Sequence, residues 1–205
     1  MTTKEKILAA ALEQYNAKGT DVITIRHIAK EIGISHGNLQ YHYKNTEELI
    51  LALFTQLSAE MDLLMTSVVA TPAAPSFHNF RDNIQKAFTI FYKYRFIFLH
   101  FVAIVQRVPE IKTRYNSMDD FREQQFSQMF AHYRELGIFR NDIPAQIWKE
   151  LITLLYITSD FWLPHNEIKL GLKDQAAVQH YVQLISNMFY PYLTEKGIIT
   201  WREEK

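Results

Sequence analysis

The sequence contains no cysteine, little glycine or proline, and no excess of either charge. Its 205 residues include 0 Cys, 6 Gly and 6 Pro, and 22 Lys and Arg balance 22 Asp and Glu. The absence of cysteine excludes disulfides, thiolate metal sites and a cysteine nucleophile, and is consistent with a reducing compartment. The scarcity of glycine and proline argues against an all-β sandwich with many tight turns. Zero net charge gives the whole molecule no attraction to nucleic acid or to an anionic membrane.

No apolar run in the sequence is long enough to span a bilayer. The longest run, residues 96–105, falls well short of the roughly 20 residues that a transmembrane helix needs, and it contains His100. The N-terminal residues lead into an amphipathic segment rather than the apolar core of a signal peptide. Hydrophobic residues nevertheless make up 48% of the chain, with 14 Phe, 11 Tyr and 3 Trp. We therefore expect a soluble cytoplasmic protein with a sizeable core and no membrane partner.

Apolar residues recur at three- and four-residue steps along most of the chain, which predicts an all-α fold of about nine helices. The segment 71–76 is the clearest break between them. Asp174 is expected to cap the last helix, while Pro164 and Gly197 are expected to stop the last two. The predicted helices cover about residues 7–18, 24–33, 35–43, 46–69, two from 77 onward that meet near 94–95, 109–136, 144–163 and 174–196.

Two short helices joined by Gly33, Ile34 and Ser35 fit a helix-turn-helix, in which the second helix enters the major groove of DNA. Gly33 permits the positive φ of the turn, and the small Ala29 lets the two helices approach closely. Ile34 is expected to fill the elbow. Ser35 is expected to cap the free N–H groups of the second helix.

The second of these helices presents a polar and aromatic face without an acidic residue. Leu39 and Tyr43, four residues apart, are expected to face inward. The residues left facing outward or sideways are His36, Gly37, Asn38, Gln40, Tyr41 and His42. Over residues 24–46, three basic side chains stand against one acidic side chain, so this surface is mildly basic although the protein is neutral.

With these features, residues 7–53 resemble the DNA-binding domain of the tetracycline-repressor (TetR) family of bacterial transcription regulators. The matching residues are Thr24, Ile28, Ala29, Gly33, Ile34, Ser35, Gly37, Leu39, Tyr41, His42, Tyr43, Glu47, Glu48 and Leu49. The chain departs from the family at Gln40, where Tyr is usual, and at Thr46, where a phosphate-binding Lys is usual. Beyond residue 53 the resemblance rests on the number and length of the helices.

The resemblance implies roles for the exposed residues of this segment. Arg26 occupies a position from which family members reach a base edge or a phosphate, and Arg is the commonest bidentate reader of guanine. Asn38 and Gln40 are suited to adenine, and several neighbours are better placed for phosphates, which position the protein without specifying sequence. The alternative is an ordinary solvated helix pair. The candidate DNA-binding residues are Thr24, Arg26, Ser35, His36, Gly37, Asn38, Gln40, Tyr41, His42 and Lys44, of which Thr24, Tyr41, His42 and Lys44 are the phosphate candidates.

No catalytic or metal-binding constellation accompanies this segment. Residues 33–37 match the G-x-S-x-G pattern, but that motif requires a preceding strand, and here a helix precedes it. The eight histidines form neither Glu-x-x-His nor H-E-x-x-H spacings. We therefore expect no enzyme activity, no metal and no cofactor.

His100 interrupts an otherwise apolar helix and is a candidate polar anchor in a ligand cavity. Aromatic side chains at helical spacing are candidates for its walls, since small-molecule sites combine apolar walls with a few polar groups. The alternative is a satisfied core histidine among ordinary core aromatics. The candidate ligand-binding residues are Phe88, Tyr92, Phe96, His100, Phe101, Tyr115, Phe121 and Tyr156, with Phe91 and Phe126 as further wall candidates.

Residues 147–163 and 178–193 are apolar over more than one helical face. Such helices lie either at the centre of a domain or at a subunit interface. The resemblance favours an interface in which two helices from each subunit form a four-helix bundle.

Together these interpretations predict a helix-turn-helix domain over residues 1–45 and a helical regulatory domain, for ligand binding and dimerisation, over residues 46–205. The expected function is that of a homodimeric repressor, which leaves a palindromic double-stranded DNA operator when a small hydrophobic or aromatic effector binds. Its two recognition helices would lie about 34–36 Å apart, one turn of DNA. Two alternatives remain: a constitutive DNA-binding protein without an effector, and a helical carrier or enzyme for hydrophobic ligands.

Overall fold

The computed structural model describes residues 1–70 and 76–202, with side chains outside 68–70 and 118–120. This part of the chain contains no strand, only a single bridge between Phe139 and Leu193, so the prediction of an all-α fold is confirmed. Most of the expected break over 71–76 lies outside the described residues. The helices are α1 (Thr3–Lys18), α2 (Ile25–Glu31), α3 (His36–His42), α4 (Thr46–Ala70), α5 (Phe77–Lys93), α6 (Arg95–Leu99), α7 (Phe101–Arg107), α8 (Pro109–Glu135), α9 (Ala145–Lys169), α10 (Asp174–Met188) and α11 (Glu195–Arg202), with a 3-10 turn at Tyr190–Tyr192.

The chain forms two compact units. The first comprises Met1–Ala59 and Tyr94–Tyr115, and the second comprises Glu60–Lys93 and Asn116–Lys205. The predicted division between residues 45 and 46 therefore coincides with the start of α4 rather than with the limit of the first unit. The core of the first unit is formed by fully buried apolar side chains of all its helices, among them Ile7, Ala11, Ile28, Leu39, Leu49, Ile50, Leu53, Ile97, Ile104 and Ile111.

Helices α6 and α7 belong to the same unit as the three N-terminal helices. The backbone N–H of Phe96 donates to Asn16 Oδ1 at 3.1 Å, and the rings of Phe96 and Tyr15 lie 5.3 Å apart. Burial raises the pKa of Tyr15 to about 12. At the start of α8, Arg114 donates to Thr55 Oγ1 at 2.8 Å. Polar and aromatic contacts thus fasten residues 94–115 to α1 and α4.

The second unit has a core built largely from aromatic rings. The ring of Phe80 lies edge-on to that of Phe189, at 4.6 Å between centroids, and Phe130 packs against Trp148 at 5.2 Å. Aromatic pairs of this kind contribute about 0.5–1.5 kcal/mol beyond the burial of their area. Much of the aromatic content seen in the sequence is therefore ordinary core.

Helix α9 continues through Pro164 to Lys169, so the expected stop at this proline is wrong. A proline inside a helix lacks one hydrogen-bond donor and costs about 3 kcal/mol. Two interactions beyond it offset this cost. The ring of His165 shares a hydrogen bond of 2.6 Å with the hydroxyl of Tyr181, and the side-chain amide of buried Asn166 donates to the carbonyl of Leu172 at 2.9 Å, which fixes the end of the helix.

Helix α10 ends at Met188, well before the predicted end at residues 195–196. Pro191 accounts for the difference, because it has no N–H to donate and disfavours a helical conformation in the residue before it. The chain then forms the 3-10 turn and the separate helix α11, which contains Gly197, a residue expected to stop a helix.

The N-terminus of α10 is capped by tertiary structure rather than by Asp174. Lys173 is the N-cap residue, and Asp174 is the first helical residue, with a φ of +48°. The N–H of Asp174 donates to the hydroxyl of Tyr92 at 2.6 Å. The hinge near Tyr94 is confirmed, but His100 forms a second break, between α6 and α7, that was not expected.

By length and composition alone, helix α4 could cross a membrane over Thr46–Ser67. Its residues Leu49, Ile50 and Leu53 are completely buried in the first unit. Core helices of soluble proteins have the same composition, so this feature is weak support for a membrane span.

Gly197 allows α11 to pack tightly against the turn that follows α8. A Cβ atom at this position would lie 2.4 Å from the carbonyl oxygen of Ile138 and 3.2 Å from Leu193. The neighbouring Thr194 hydroxyl donates to the carbonyl of Gly137 at 2.6 Å, and Lys196 Nζ donates to that of Leu136 at 2.8 Å. Any movement of α11 away from this turn would therefore break these hydrogen bonds.

We expect Gly197→Ala to lower the free energy of unfolding by about 1–3 kcal/mol, because the added methyl group would collide with backbone. Urea unfolding measures the change. Gly37→Ala is the matched control, because nothing lies within 4 Å of its added Cβ and alanine favours a helix. Equal stability of the two variants would contradict the close packing of α11.

Candidate nucleic-acid interface and ligand cavity

The turn between α2 and α3 has the geometry that the sequence predicts. Gly33 adopts a φ of +69°, and the N–H of Ile34 donates to the carbonyl of Ala29 at 3.0 Å. Ser35 Oγ accepts a hydrogen bond from the N–H of Asn38 at 3.1 Å, which confirms the expected cap of α3. These local bonds fix the direction in which α3 leaves the turn.

The inner sides of α2 and α3 are held by apolar contacts. Ile28, Ala29 and Leu39 are buried, with relative exposures of 0–2%. Tyr43, which follows α3, is half-buried, and burial raises the pKa of its hydroxyl. The inward positions expected four residues apart are thus confirmed, fully for Leu39 and partly for Tyr43.

The opposite side of α3 is open to solvent. Tyr41 is 86% exposed, although its side chain is large and aromatic, and its ring lies edge-on to that of His42. Of the ten candidate DNA-binding residues, His36 and His42 are half-buried and the following are exposed: Thr24, Arg26, Ser35, Gly37, Asn38, Gln40, Tyr41 and Lys44. These residues lie on α3, next to its ends or at the start of α2, and their contacts with DNA remain predictions.

His27 supports the start of α2, a role that sequence reasoning missed. The N–H of Thr24 donates to His27 Nδ1 at 3.2 Å, so this nitrogen must be the unprotonated one. The spacing of Thr24 and His27 is that of a capping box in which His replaces the usual Glu or Gln. This interaction orients the backbone at Thr24, one of the candidate phosphate contacts.

The start of α4 is fixed by two local bonds beside the candidate surface. Asn45 Oδ1 accepts a hydrogen bond from the N–H of Glu48 at 2.9 Å. The carboxylate of Glu48 in turn accepts one from the N–H of Lys44 at 2.8 Å. Lys44 therefore has a fixed backbone, and its side chain is exposed.

Arg107 of α7 connects two parts of the first unit through ion pairs. Its Nε lies 2.6 Å from Glu47 Oε1, in the first turn of α4, and its Nη1 lies 3.5 Å from Asp21 Oδ1, between α1 and α2. Burial alone would raise the pKa of Glu47, but the hydrogen bond and charge of Arg107, with a backbone hydrogen bond, hold it below its usual value. Sequence reasoning did not find this contact, since the pair is separated by 60 residues.

The second unit contains an apolar cavity of about 90 Å³. Asn83 and Ser159 are its two polar lining residues, and three methionines give its walls adaptable shape. Among the described residues, the lining is Met61, Leu64, Met65, Phe80, Asn83, Ile84, Ala87, Phe88, Phe91, Phe126, Met129, Leu155, Ser159 and Ile185.

The structure separates the eight candidate ligand-binding residues. Phe96, His100, Phe101 and Tyr115 lie in the first unit, where His100 is exposed and the rings of Phe101 and Tyr115 are 5.3 Å apart.

The other four candidates lie in the second unit, and of them Phe88 lines the cavity, as do the wall candidates Phe91 and Phe126. Phe88 and Tyr92 both pack against Trp162. Tyr156 packs against Phe126, and Phe121 is 56% exposed. The methionines and the polar pair Asn83 and Ser159 were not foreseen, because neither stands out from an ordinary helical pattern.

An exposed apolar stripe runs along α9. Leu154, Ile157 and Phe161 recur at three- and four-residue steps, with relative exposures of 49%, 52% and 46%. On α10, Leu184 is also 48% exposed. Contiguous exposed apolar residues of this kind mark contact surfaces more often than plain solvent-facing helix.

Two family models match the chain. Residues 7–53 match the model described as "Bacterial regulatory proteins, tetR family", and residues 56–198 match the model described as "Bacterial transcriptional repressor". The first description names regulatory proteins, and the second names a repressor of transcription. The second match alone covers more than half of the chain.

Individual relatives are similar in part or in fold. The class D tetracycline repressor of Escherichia coli and the class H tetracycline repressor of Photobacterium damsela subsp. piscicida are each 38% identical over 56 residues. That alignment covers 27% of this chain and 26% of each repressor, so only about a quarter of these relatives is matched.

Among solved structures, a TetR-family regulator from Marinobacter aquaeolei VT8 has a TM-score of 0.84 at 22% identity, covering 100% of this chain and 98% of its own. A regulator from Saccharomonospora viridis, in complex with choline, has a TM-score of 0.68 at 20% identity, with 94% and 97% covered. These two establish the likeness of the fold.

We expect the stabilisation from the Glu47–Arg107 pair to be complete at neutral pH and to be lost as the pH falls through the lowered pKa of Glu47. The folded state binds this proton less tightly than the unfolded state, so acid favours unfolding. Since the two side chains are 37% and 34% exposed, the contribution is only about 0.5 kcal/mol. Urea unfolding of the native chain and of Glu47→Gln, at about pH 7 and about pH 4, measures it.

The exposed Glu31 provides the control, because Glu31→Gln should change stability by the same small amount at both pH values. A difference between native chain and Glu47→Gln that does not shrink on acidification would contradict the ion pair.

Proposed function

This chain belongs to the TetR family of bacterial transcriptional regulators, and on that premise we propose that it is a homodimeric repressor whose binding to a palindromic operator is controlled by a small-molecule effector. The observation that carries the proposal is the capped, acid-free helix α3, whose outer side is exposed while Leu39 anchors its inner side. The membership confirms the class of function expected from the sequence, regulation of transcription through DNA. Since the proposed operator is bacterial DNA, which lies in the cytoplasm, we place the protein in the cytoplasm too.

In this proposal α3 enters the major groove, and its side chains divide into two groups. Asn38 and Gln40 contact base edges, as does Arg26 from α2, because amides match adenine and guanidinium matches guanine. Tyr41 and Lys44 contact phosphates, which set the register without reading sequence. Since Gln40 replaces the Tyr usual in the family, the operator should differ from those of the tetracycline repressors.

A second copy of this chain is the proposed occupant of the apolar stripe on α9. Leu154, Ile157 and Phe161 together with Leu184 of α10 would be desolvated by the same residues of a partner around a two-fold axis. Such a dimer places two α3 helices one DNA turn apart, about 34–36 Å, on a palindrome. Both stretches lie within the segments 147–163 and 178–193 expected to form the interface.

The apolar cavity of the second unit is the proposed effector site. Helix α4 supplies Met61, Leu64 and Met65 to it, and the same continuous helix supplies Leu49 and Leu53 to the unit that contains α3. An effector that shifts α4 at the cavity therefore acts on a helix shared with the DNA-binding unit. Release from DNA requires the effector to bind the released state more tightly than the DNA-bound state.

The chemistry of the effector does not follow from the fold. One structural neighbour was solved with choline and another, SmeT, with triclosan, and these two molecules share neither charge nor shape. Predictions about the effector must rest on the residues of this chain.

We expect Arg26→Ala to weaken binding to the operator by about 1–3 kcal/mol, because a bidentate contact with one base would be lost. Lys44→Ala should weaken binding to operator and unrelated DNA alike, since a phosphate contact carries no sequence information. Gel-shift titration with the intergenic DNA upstream of the gene, against a scrambled duplex, measures both.

Lys169→Ala serves as the control, because Lys169 is an exposed cation of the second unit, lies outside the segments expected to form the interface and should leave binding unchanged. Unchanged operator affinity in Arg26→Ala would remove this residue from the reading surface. Salt-sensitive binding of the native chain without sequence preference would contradict a specific regulator.

We expect Ile157→Glu to convert the dimer to a monomer and to lower operator affinity at least tenfold, because a buried unpaired carboxylate is costly and one α3 alone reads half a palindrome. Light scattering coupled to size-exclusion chromatography measures the mass. Ile199→Glu is the matched control, since Ile199 is similarly exposed, at 57%, but lies on α11. A dimeric Ile157→Glu variant would place the interface elsewhere.

A further inference from the structure

The cavity of the second unit is too small to enclose an effector of ordinary size. Its volume is about 90 Å³. By comparison, a protein cavity of about 150 Å³ holds one benzene molecule, and most small-molecule sites measure about 300–1,000 Å³. The cavity therefore accommodates one short apolar portion of a ligand.

An open groove lies beside the cavity, between α4 and α5, two of the helices that also line the cavity. It has a volume of about 750 Å³, and it shares the half-buried Leu64 with the cavity. Because Leu64 lines both the groove and the cavity, its side chain forms part of the wall between them. The groove is lined by Glu60, Leu63, Leu64, Ser67, Asp82, Gln85, Lys86, Thr89 and Ile90.

We propose that the effector is an elongated, uncharged amphipath, whose apolar end fills the cavity and whose hydrogen-donating polar end lies in the groove. Leu64 separates the two subsites and must turn aside for the ligand to pass. This inference rests on the effector site of the proposed function and adds the chemical class of the ligand. Neither subsite is adequate alone, since the cavity is too small and the groove is open to water.

The hydroxyl groups of the groove favour a ligand that donates hydrogen bonds. Ser67 Oγ donates its proton to the carbonyl of Leu64 at 2.6 Å, and Thr89 Oγ1 donates to that of Gln85 at 2.8 Å. Each hydroxyl oxygen keeps acceptor capacity after this donation. A ligand hydroxyl can donate to these oxygens, whereas a carboxylate has no hydrogen to offer.

The charges of the groove give a charged ligand of either sign no net attraction. Glu60 is held by Lys93 at 2.6 Å, and Asp82 lies 3.3 Å from the imidazole of His78. The charges left in the lining, on Asp82 and the exposed Lys86, are opposite in sign. A carboxylate or an ammonium group would therefore lose water here without a net electrostatic gain.

Binding of a matched series of eight-carbon compounds to the full chain, without DNA, tests this class. The probes are 1-octanol, octanoate and octylammonium, with toluene as a molecule that lacks a polar end. The intrinsic tryptophan fluorescence, to which Trp162 contributes from 5.2 Å beside the cavity residue Phe88, and the thermal midpoint report binding. We expect 1-octanol to bind at least tenfold more tightly than each of the others.

Two variants test the two subsites. Leu64→Trp should block the wall and weaken 1-octanol binding at least tenfold, whereas Val102→Trp, at an exposed position in the first unit, should not. Ser67→Ala combined with Thr89→Val changes only exposed positions and should reduce the preference for 1-octanol over octanoate about tenfold. This double variant keeps the proposal testable if Leu64→Trp does not fold.

Tighter binding of octanoate or octylammonium, absence of 1-octanol binding, or an unchanged preference in the double variant would overturn the inference. Because these measurements use no DNA, they are independent of operator recognition. A chain that binds 1-octanol but no operator would refute the proposed function alone. A chain that binds its operator but not 1-octanol would refute this inference alone.

Discussion

Helix α4 imposes the main constraint on this structure, because one continuous helix contributes to two separate cores. Leu49, Ile50 and Leu53 are completely buried in the first unit, whereas Leu64 and Met65 line the cavity of the second. Close-packed cores transmit displacements, since side chains cannot shift without disturbing their neighbours. In the proposed regulation, a ligand that displaces the second half of α4 strains or moves the first half. The proposed regulation depends on this continuity of the helix.

Recognition of DNA by a protein of zero net charge depends on where its charges stand. Arg26 and Lys44 are exposed around α3, which has no acidic residue of its own. Glu47 is paired with Arg107, and the carboxylate of Glu48 accepts a backbone hydrogen bond. These two acidic residues at the start of α4 thus have partners within the protein. Non-specific affinity should be modest, and discrimination should rest on contacts in the groove.

Much of the fold was predictable, because many helix boundaries are set by residues close in sequence. Gly19, Gly33 and Ser35 act through their own backbone or the next turn, so α1 and α2 end, and α3 begins, close to where the pattern indicates. Predictions failed where distant contacts outweigh local preference. Pro164 lies inside α9 because hydrogen bonds of His165 and Asn166, directly after it, hold the helix, and Tyr92, far away in sequence, caps α10. The end of α10, by contrast, is set by a local signal, because Pro191 stands in the 3-10 turn that follows it.

The sequence by itself determined the helix-turn-helix and the candidate DNA-reading residues, because turn, cap and exposed face all arise within about twenty consecutive residues. Only the tertiary structure decided the location of the cavity, whose walls come from α4, α5, α8, α9 and α10. Aromatic residues such as Phe77, Phe96 and Phe130 have the same helical spacing whether they fill a core or line a site, and all three are core here. His100 likewise reads as buried along the chain but is exposed in the fold. Periodicity reports which face of a helix is apolar, and the packing of other helices decides whether that face closes completely or leaves space for a ligand.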